Sequence, residues 1–119
     1  MKKIILITML TGALFAQSDC NKDNWQEYYN SDGRDMSDCQ LQGAMLRGAR
    51  LMGADLTGAD LTGANITQAR LMGADLIGAN FTGANFTGTK LVGIISGDIR
   101  GVPDNLPVGW SFVDGTIIK

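Results

Sequence analysis

Ala54-Asp55-Leu56-Thr57-Gly58 is followed at once by Ala59-Asp60-Leu61-Thr62-Gly63, the same five-residue phrase twice over. Its centre is a large apolar residue, with a small residue two places before it and a glycine two places after. The phrase extends in both directions. Large apolar residues recur at every fifth position from Met36, Leu41 and Leu46 to Phe81, Phe86 and Leu91. The small position holds Cys39, then alanine from Ala44 to Ala84, and finally Thr89. Glycine holds the third position from Gly43 to Gly93, except where Gln68 replaces it. Internal repetition this regular has to be explained before any other feature.

An α-helix does not explain it. Five residues rotate a helix by about 140° beyond a full turn, which scatters the leucines around the axis, and each interior glycine costs roughly 1 kcal/mol. A flat strand fails for a different reason: its side chains alternate, so an odd repeat sends successive leucines to opposite faces. A short extended piece that points Ala and Leu the same way, followed by a corner, satisfies the spacing. Glycine suits the corner because it accepts positive φ without a Cβ clash.

These phrases resemble the A(D/N)LXX motif of pentapeptide-repeat proteins. The resemblance implies an all-β fold, a right-handed quadrilateral β-helix with four pentapeptides to the coil. In this chain it would have about three coils, with Leu, Phe and Ala filling the interior. The sequence adds its own sign of a twenty-residue coil, since residues 49–56 and 69–76 both read ARLMGADL. Phe81 and Phe86 would then stack over Leu61 and Ile66. Met45 replaces the usual polar residue, Gln68 a corner glycine, and Ser96 ends the series.

Residues 1–16 have the form of a signal peptide: basic Lys2 and Lys3, then an apolar run too short to span a bilayer comfortably, with cleavage after Ala16 or Ser18. Residues 17–33 are expected to form an N-terminal cap built on Trp25, Tyr28 and Tyr29. Residues 34–95 form the solenoid and 96–119 a C-terminal cap, because terminal coils otherwise expose apolar interior and strand edges. Asp114-Gly115 between apolar runs signals a β-hairpin within that cap. Ser96-Gly97-Asp98-Ile99 and Leu106-Pro107-Val108-Gly109-Trp110 are also similar to the closing segment of many bacterial members of the family. The expected product is exported, periplasmic or secreted, with no transmembrane anchor once the signal is removed. Lipoprotein anchoring through Cys20 is disfavoured, because Asp19 stands where such sites take a small residue. Cys20 and Cys39 are the only cysteines, and they form either a disulfide in an oxidising compartment or two free thiols.

The chain has no histidine and a formal net charge of −2, so the commonest general base and metal ligand are missing and no basic surface for nucleic acid is indicated. The glycine spacing differs from that of phosphate-binding loops, and two cysteines cannot close a zinc site. No catalytic, cofactor-binding or metal residues are assigned. Sorted by a twenty-residue coil, Asp35, Asp55 and Asp75 form an acidic column, read as solvated carboxylates relieved by Arg50 and Arg70 rather than as a cation site. Arg50, Arg70 and Lys90 form a basic column beside Met52, Met72 and Val92. This strip suits docking to a protein partner, an identical subunit or an anionic surface, methionine giving adaptable contact. Copying of the ARLMGADL block would leave the same strip without any partner.

The leading expectation is an exported, non-enzymatic structural or protein-interaction module, its partner unidentified or itself, with no nucleic acid involved. The family supplies an alternative, a DNA-mimicking topoisomerase-binding protein of the quinolone-resistance type. That role demands a long, acidic, cytoplasmic rod. Three coils extend only about 15 Å at strand spacing, or about four base pairs of duplex. Within residues 36–91, Asp38, Asp55, Asp60 and Asp75 are balanced by Arg47, Arg50, Arg70 and Lys90.

Overall fold

The five amides of one repeat find five different acceptors, and that division builds the fold. In the computed structural model, which describes the backbone of residues 4–8 and 14–119 and side chains from residue 19 onward, the repeat around Leu56 is representative. The Ala54 amide donates to the Leu51 carbonyl at 3.1 Å and turns the corner. The Asp55 amide donates back to Arg34, at 2.9 Å, while those of Leu56 and Gly58 donate forward to Asp75 and Ile77, at 2.8 and 3.0 Å. The fifth amide, of Thr57, donates to its neighbour's side chain, Asp55 Oδ1, at 3.0 Å. Backbone polar groups are thus paired between successive coils without any long strand.

The stacking offset is twenty residues. Parallel bridges join Asp35 to Asp55 to Asp75 to Ile95, and Arg50 to Arg70 to Lys90. With a corner every five residues, four repeats return the chain to its starting column, which makes the architecture a β-helix. Each strand is a single bridge long, so the alternation that rules out a flat strand never accumulates. The ladder also reaches beyond residues 34–95, through Asn80 to Arg100 and Asn85 to Asn105 at one end and Asn21 to Gln40 at the other. Backbone bridges do not require the Ala/Leu pattern, so stacking continues where the pattern lapses. At that upper end glycine is obligatory at Gly101: φ is +73°, and a Cβ would lie 1.8 Å from Thr82 Oγ1.

The interior is a pair of side-chain columns per side of the coil. Every central residue from Met36 to Leu91 is buried, as are Cys39 and Ala44 and the alanines from Ala54 to Ala84; Ala49 is half-buried. Phe81 and Phe86 meet edge to face, with ring centroids 4.8 Å apart. Where a corner lacks glycine, the residue there still takes positive φ, as Asp38 (+56°), Gln68 (+60°) and Asp98 (+49°) do, a conformation that costs a residue with a Cβ more than it costs glycine.

Both ends depart from the repeat. Strands β1 (Ile4–Thr8) and β2 (Leu14–Ser18) pair antiparallel; the signal peptide expected at residues 1–16 lies partly outside the described residues. Next comes a short helix, α1 (Trp25–Tyr29), and a single 3₁₀ turn, Asp32–Arg34, so the segment is not purely β. Tyr28 is fully buried, with Trp25 and Tyr29 packed against the core. A disulfide joins Cys20 to Cys39, their Cα atoms 4.7 Å apart, and ties this segment to the first coil, where the Gln40 amide donates to the Cys20 carbonyl.

At the other end, β3 (Ser111–Val113) pairs antiparallel with β4 (Thr116–Ile118) around Asp114-Gly115, both residues at positive φ. Ser96 Oγ accepts from the Ile117 amide at 3.1 Å and donates to its carbonyl at 3.0 Å. The Ile99 amide donates to Gly115 at 3.0 Å, so β3 and β4 are fastened to the last stacked residues. Among the described residues no helix is long and apolar enough to cross a membrane.

Candidate interaction face

The Asp55–Thr57 arrangement is repeated over much of the surface as a lock. In the same coil position as Asp55, Asp35 Oδ1 accepts from the amide and hydroxyl of Ser37, and Asp75 Oδ1 accepts from the Ile77 amide at 3.1 Å. On the next side of the coil, Asp60 holds Thr62 and Asn80 holds Thr82; on the side after that, Asn65 holds Thr67 and Asn85 holds Thr87. Each lock gives the fifth amide an acceptor and fixes a polar side chain against its own backbone.

The Arg50, Arg70 and Lys90 column has no such lock in any coil, because none of these side chains carries an acceptor. Among the described residues the amides of Met52, Met72 and Val92 have no hydrogen-bond partner, and none of the three cations makes a salt bridge. All three cations are exposed; Met52 and Met72 are half-buried and Val92 is 67% exposed. The bridges hold the cations one strand spacing apart, about 10 Å from Arg50 to Lys90. The corner beside them carries no side chain of its own, with Gly53, Gly73 and Gly93 stacked along it and Arg34 lying against Gly53. This face therefore presents positive charge, unpaired N–H donors and methionine side chains, which together suit an acceptor-bearing, anionic partner surface.

The structure adds Arg34 and Tyr29 to the neighbourhood of this face. The Arg34 guanidinium stacks over the Tyr29 ring, 4.6 Å from its centroid, and the Tyr29 hydroxyl donates to the Met52 carbonyl at 2.9 Å. An open cleft of about 480 Å³ runs between Tyr29, Asp32, Arg34 and Gly53. One signal for Arg34 was in the sequence: it stands twenty residues before Ala54, where a small interior residue is the rule, so its side chain has to leave the interior.

The acidic column stands on the adjoining side. Asp55 and Asp75 are half-buried, and their Oδ2 atoms make no hydrogen bond among the described residues. Asp60, in a different column, is better held. Partial burial pushes its pKa up, but hydrogen bonds from the Thr62 hydroxyl and amide and from Gln42, with the charge of Arg100, outweigh that and hold it below the usual 3.8. A lowered folded pKa stabilises the native state above the unfolded value, and the contribution is lost as pH falls through the folded one. Replacing Asp60 with Asn keeps an acceptor for Thr62 and is expected to flatten the fall in thermal midpoint below pH 4, as followed by circular dichroism.

Among the described residues no group of three His, Cys, Asp or Glu side chains is placed to hold a metal ion. Cys20 and Cys39 are both joined and buried, so neither thiol is available for chemistry in the oxidised chain.

Comparison with known proteins places this arrangement. The family described as pentapeptide repeats (8 copies) matches residues 35–73 and 67–95, just over half of the chain. No curated protein matches. Similar solved structures include the pentapeptide repeat protein Rfr23 of the cyanobacterium Cyanothece 51142, 34% identical with a TM-score of 0.38 over 60% of this chain and 52% of that one. They also include a pentapeptide repeat protein from the thylakoid lumen of Arabidopsis thaliana, 24% identical with a TM-score of 0.35 over 60% and 56%. HetL, involved in heterocyst differentiation regulation in Nostoc sp. strain PCC 7120, is 28% identical with a TM-score of 0.24 over 57% and 47%. The chain spans about half the length of these structures. With its stacked five-residue repeats and its match to the family model, the chain belongs to the pentapeptide repeat family.

Proposed function

We propose that this chain is an exported, non-enzymatic interaction module that binds a protein surface through Arg50, Arg70 and Lys90 with Met52, Met72 and Val92. One observation carries the reading: among the described residues this is the one side of the coil where no repeat locks its outward polar side chain to its own backbone. Elsewhere the repeat directs Asp, Asn and Thr toward stability. Here it forgoes that hydrogen bond in three successive coils and leaves cations and amides unpaired, a pattern with a function in binding and none in folding.

The rest of the reading is consistent with this role. About three coils are closed by an N-terminal segment around Tyr28 and a C-terminal hairpin cap, which leaves the sides as the accessible surface. The Cys20–Cys39 disulfide supports an oxidising compartment, and hence removal of a signal peptide over residues 1–16. A thiol in a disulfide also cannot carry a lipid anchor. Mimicry of DNA is disfavoured, because a cationic face runs the length of the repeats beside the acidic one.

Replacing Met52 and Met72 together with Asp is expected to reduce capture of a crosslinked envelope partner severalfold, while the free energy of unfolding in urea stays within about 0.5 kcal/mol of wild type, as for other surface changes. Unchanged capture would remove the face from consideration. Recovery of the chain from the cytoplasm instead of the periplasm or medium would overturn export.

A further inference from the structure

We propose that the partner of the Arg50–Lys90 face is the Asp55 and Asp75 face of a second copy of this chain, docked with the two stacks antiparallel. The inference rests on the preceding reading and names its partner. One face lacks acceptors and the other has them free: the unpaired amides and cations of the first correspond to the unbonded Oδ2 atoms of Asp55 and Asp75 on the second. Both columns are built on the same twenty-residue bridge, so charges on two copies match in spacing whatever the exact rise of the coil. The carboxylates are also pre-positioned, since each Oδ1 is held by the amide two residues on, which lowers the ordering cost of docking.

Orientation follows from chain direction. When two stacks lie parallel, their facing surfaces run the chain in opposite senses, which sets the cations against Thr57 and Ile77 and the methionines against the carboxylates. When they lie antiparallel the senses agree, and each column meets its complement. In the register that sets Met72 against Ile77, Arg70 faces Asp75 and Lys90 faces Asp55. Met72 falls on Ile77, which occupies the place of Thr57 one coil higher and is 40% exposed. That pairing gives an exposed apolar side chain on an acidic face a contact. Because the two surfaces differ, each copy keeps one of each free, so association continues past a pair as concentration rises.

The test is sedimentation of the full chain over a range of concentration and salt. Wild type is expected to gain mass with concentration and to lose it as salt screens the pairs. Arg70→Asp and Asp75→Arg should each weaken association about tenfold or more, as expected for contacting charges, with urea midpoints near wild type. Asp75→Asn, which keeps an acceptor for the Ile77 amide, should also weaken it. An equimolar mixture of Arg70→Asp with Asp75→Arg should recover association, because the reversed charges then face each other. A wild type that stays monomeric to about 1 mM, or a mixture no better than either variant alone, overturns the proposal. In either case, release of a crosslinked envelope partner or of an immobilised acidic polysaccharide by Arg70→Asp shows that the interaction face stands with a different occupant; no such release removes both readings.

Discussion

Replacing Phe81 with alanine is expected to destabilise the chain by about 3–5 kcal/mol, the largest effect of any single substitution in the repeats. The ring is fully buried and meets Phe86 edge to face at 4.8 Å. Its backbone is held between coils by the bridge from Asn80 to Asp60 below and Arg100 above, so the walls around the ring cannot close far onto the space it leaves. A phenylalanine-sized void therefore persists, and the edge contact with Phe86 is lost as well. Urea unfolding of the alanine variant should show a lower midpoint at an unchanged slope. Phe81→Leu should recover most of the loss, because it keeps an apolar side chain of the kind found at this position in the coil below, Leu61. A cost below about 1 kcal/mol for the alanine variant would mean that the interior is not closely packed.

Removing the disulfide by replacing Cys20 and Cys39 with alanine is expected to cost about 2–4 kcal/mol. The bridge closes a loop across a sequence separation of 19 residues, and that loop contains α1 and the 3₁₀ turn, short elements that have little stability of their own. The sulfur of Cys39 occupies the column continued by Ala59 and Ala79, and both cysteines are buried. Reductant should therefore reach them only after the N-terminal segment opens. Thiol counting should find none free in the native protein, slow release under reductant in buffer, and rapid release in urea. Fast release without denaturant, or a stability unchanged by the double substitution, would show that the segment is not held by this link.

The interior was legible because each residue's role repeats: Leu56 and Leu61 read alike in sequence and lie alike in the structure. The turn at Asp114-Gly115 was legible for a local reason, since few residues other than Asn, Asp and Gly accept positive φ readily. Helix α1 was not, because five residues are too few to display a helical period against the surrounding polar residues. The cysteine pairing stayed open in the sequence, where compartment and distance are both unknown, and it takes the fold to bring residue 20 beneath residue 39. The basic column could be sorted by arithmetic alone. What set it apart, that none of its three repeats holds the residue two places on, depended on hydrogen bonds visible only once Asp55, Asp60 and Asn65 had each been seen doing so.

From Asp35 onward the bridges join residues twenty apart, whereas the interior repeats every five. Insertion or deletion of one pentapeptide between Arg70 and Lys90 would leave every leucine inward and every glycine at a corner, yet would rotate all later residues a quarter-turn about the axis. Lys90 would no longer stand above Arg70, and the cationic row would end after two residues. Such a length change is tolerable to the core and ruinous to the surface. Members that keep the face are therefore expected to differ in length by whole coils, and members that have lost it are free to differ by single repeats.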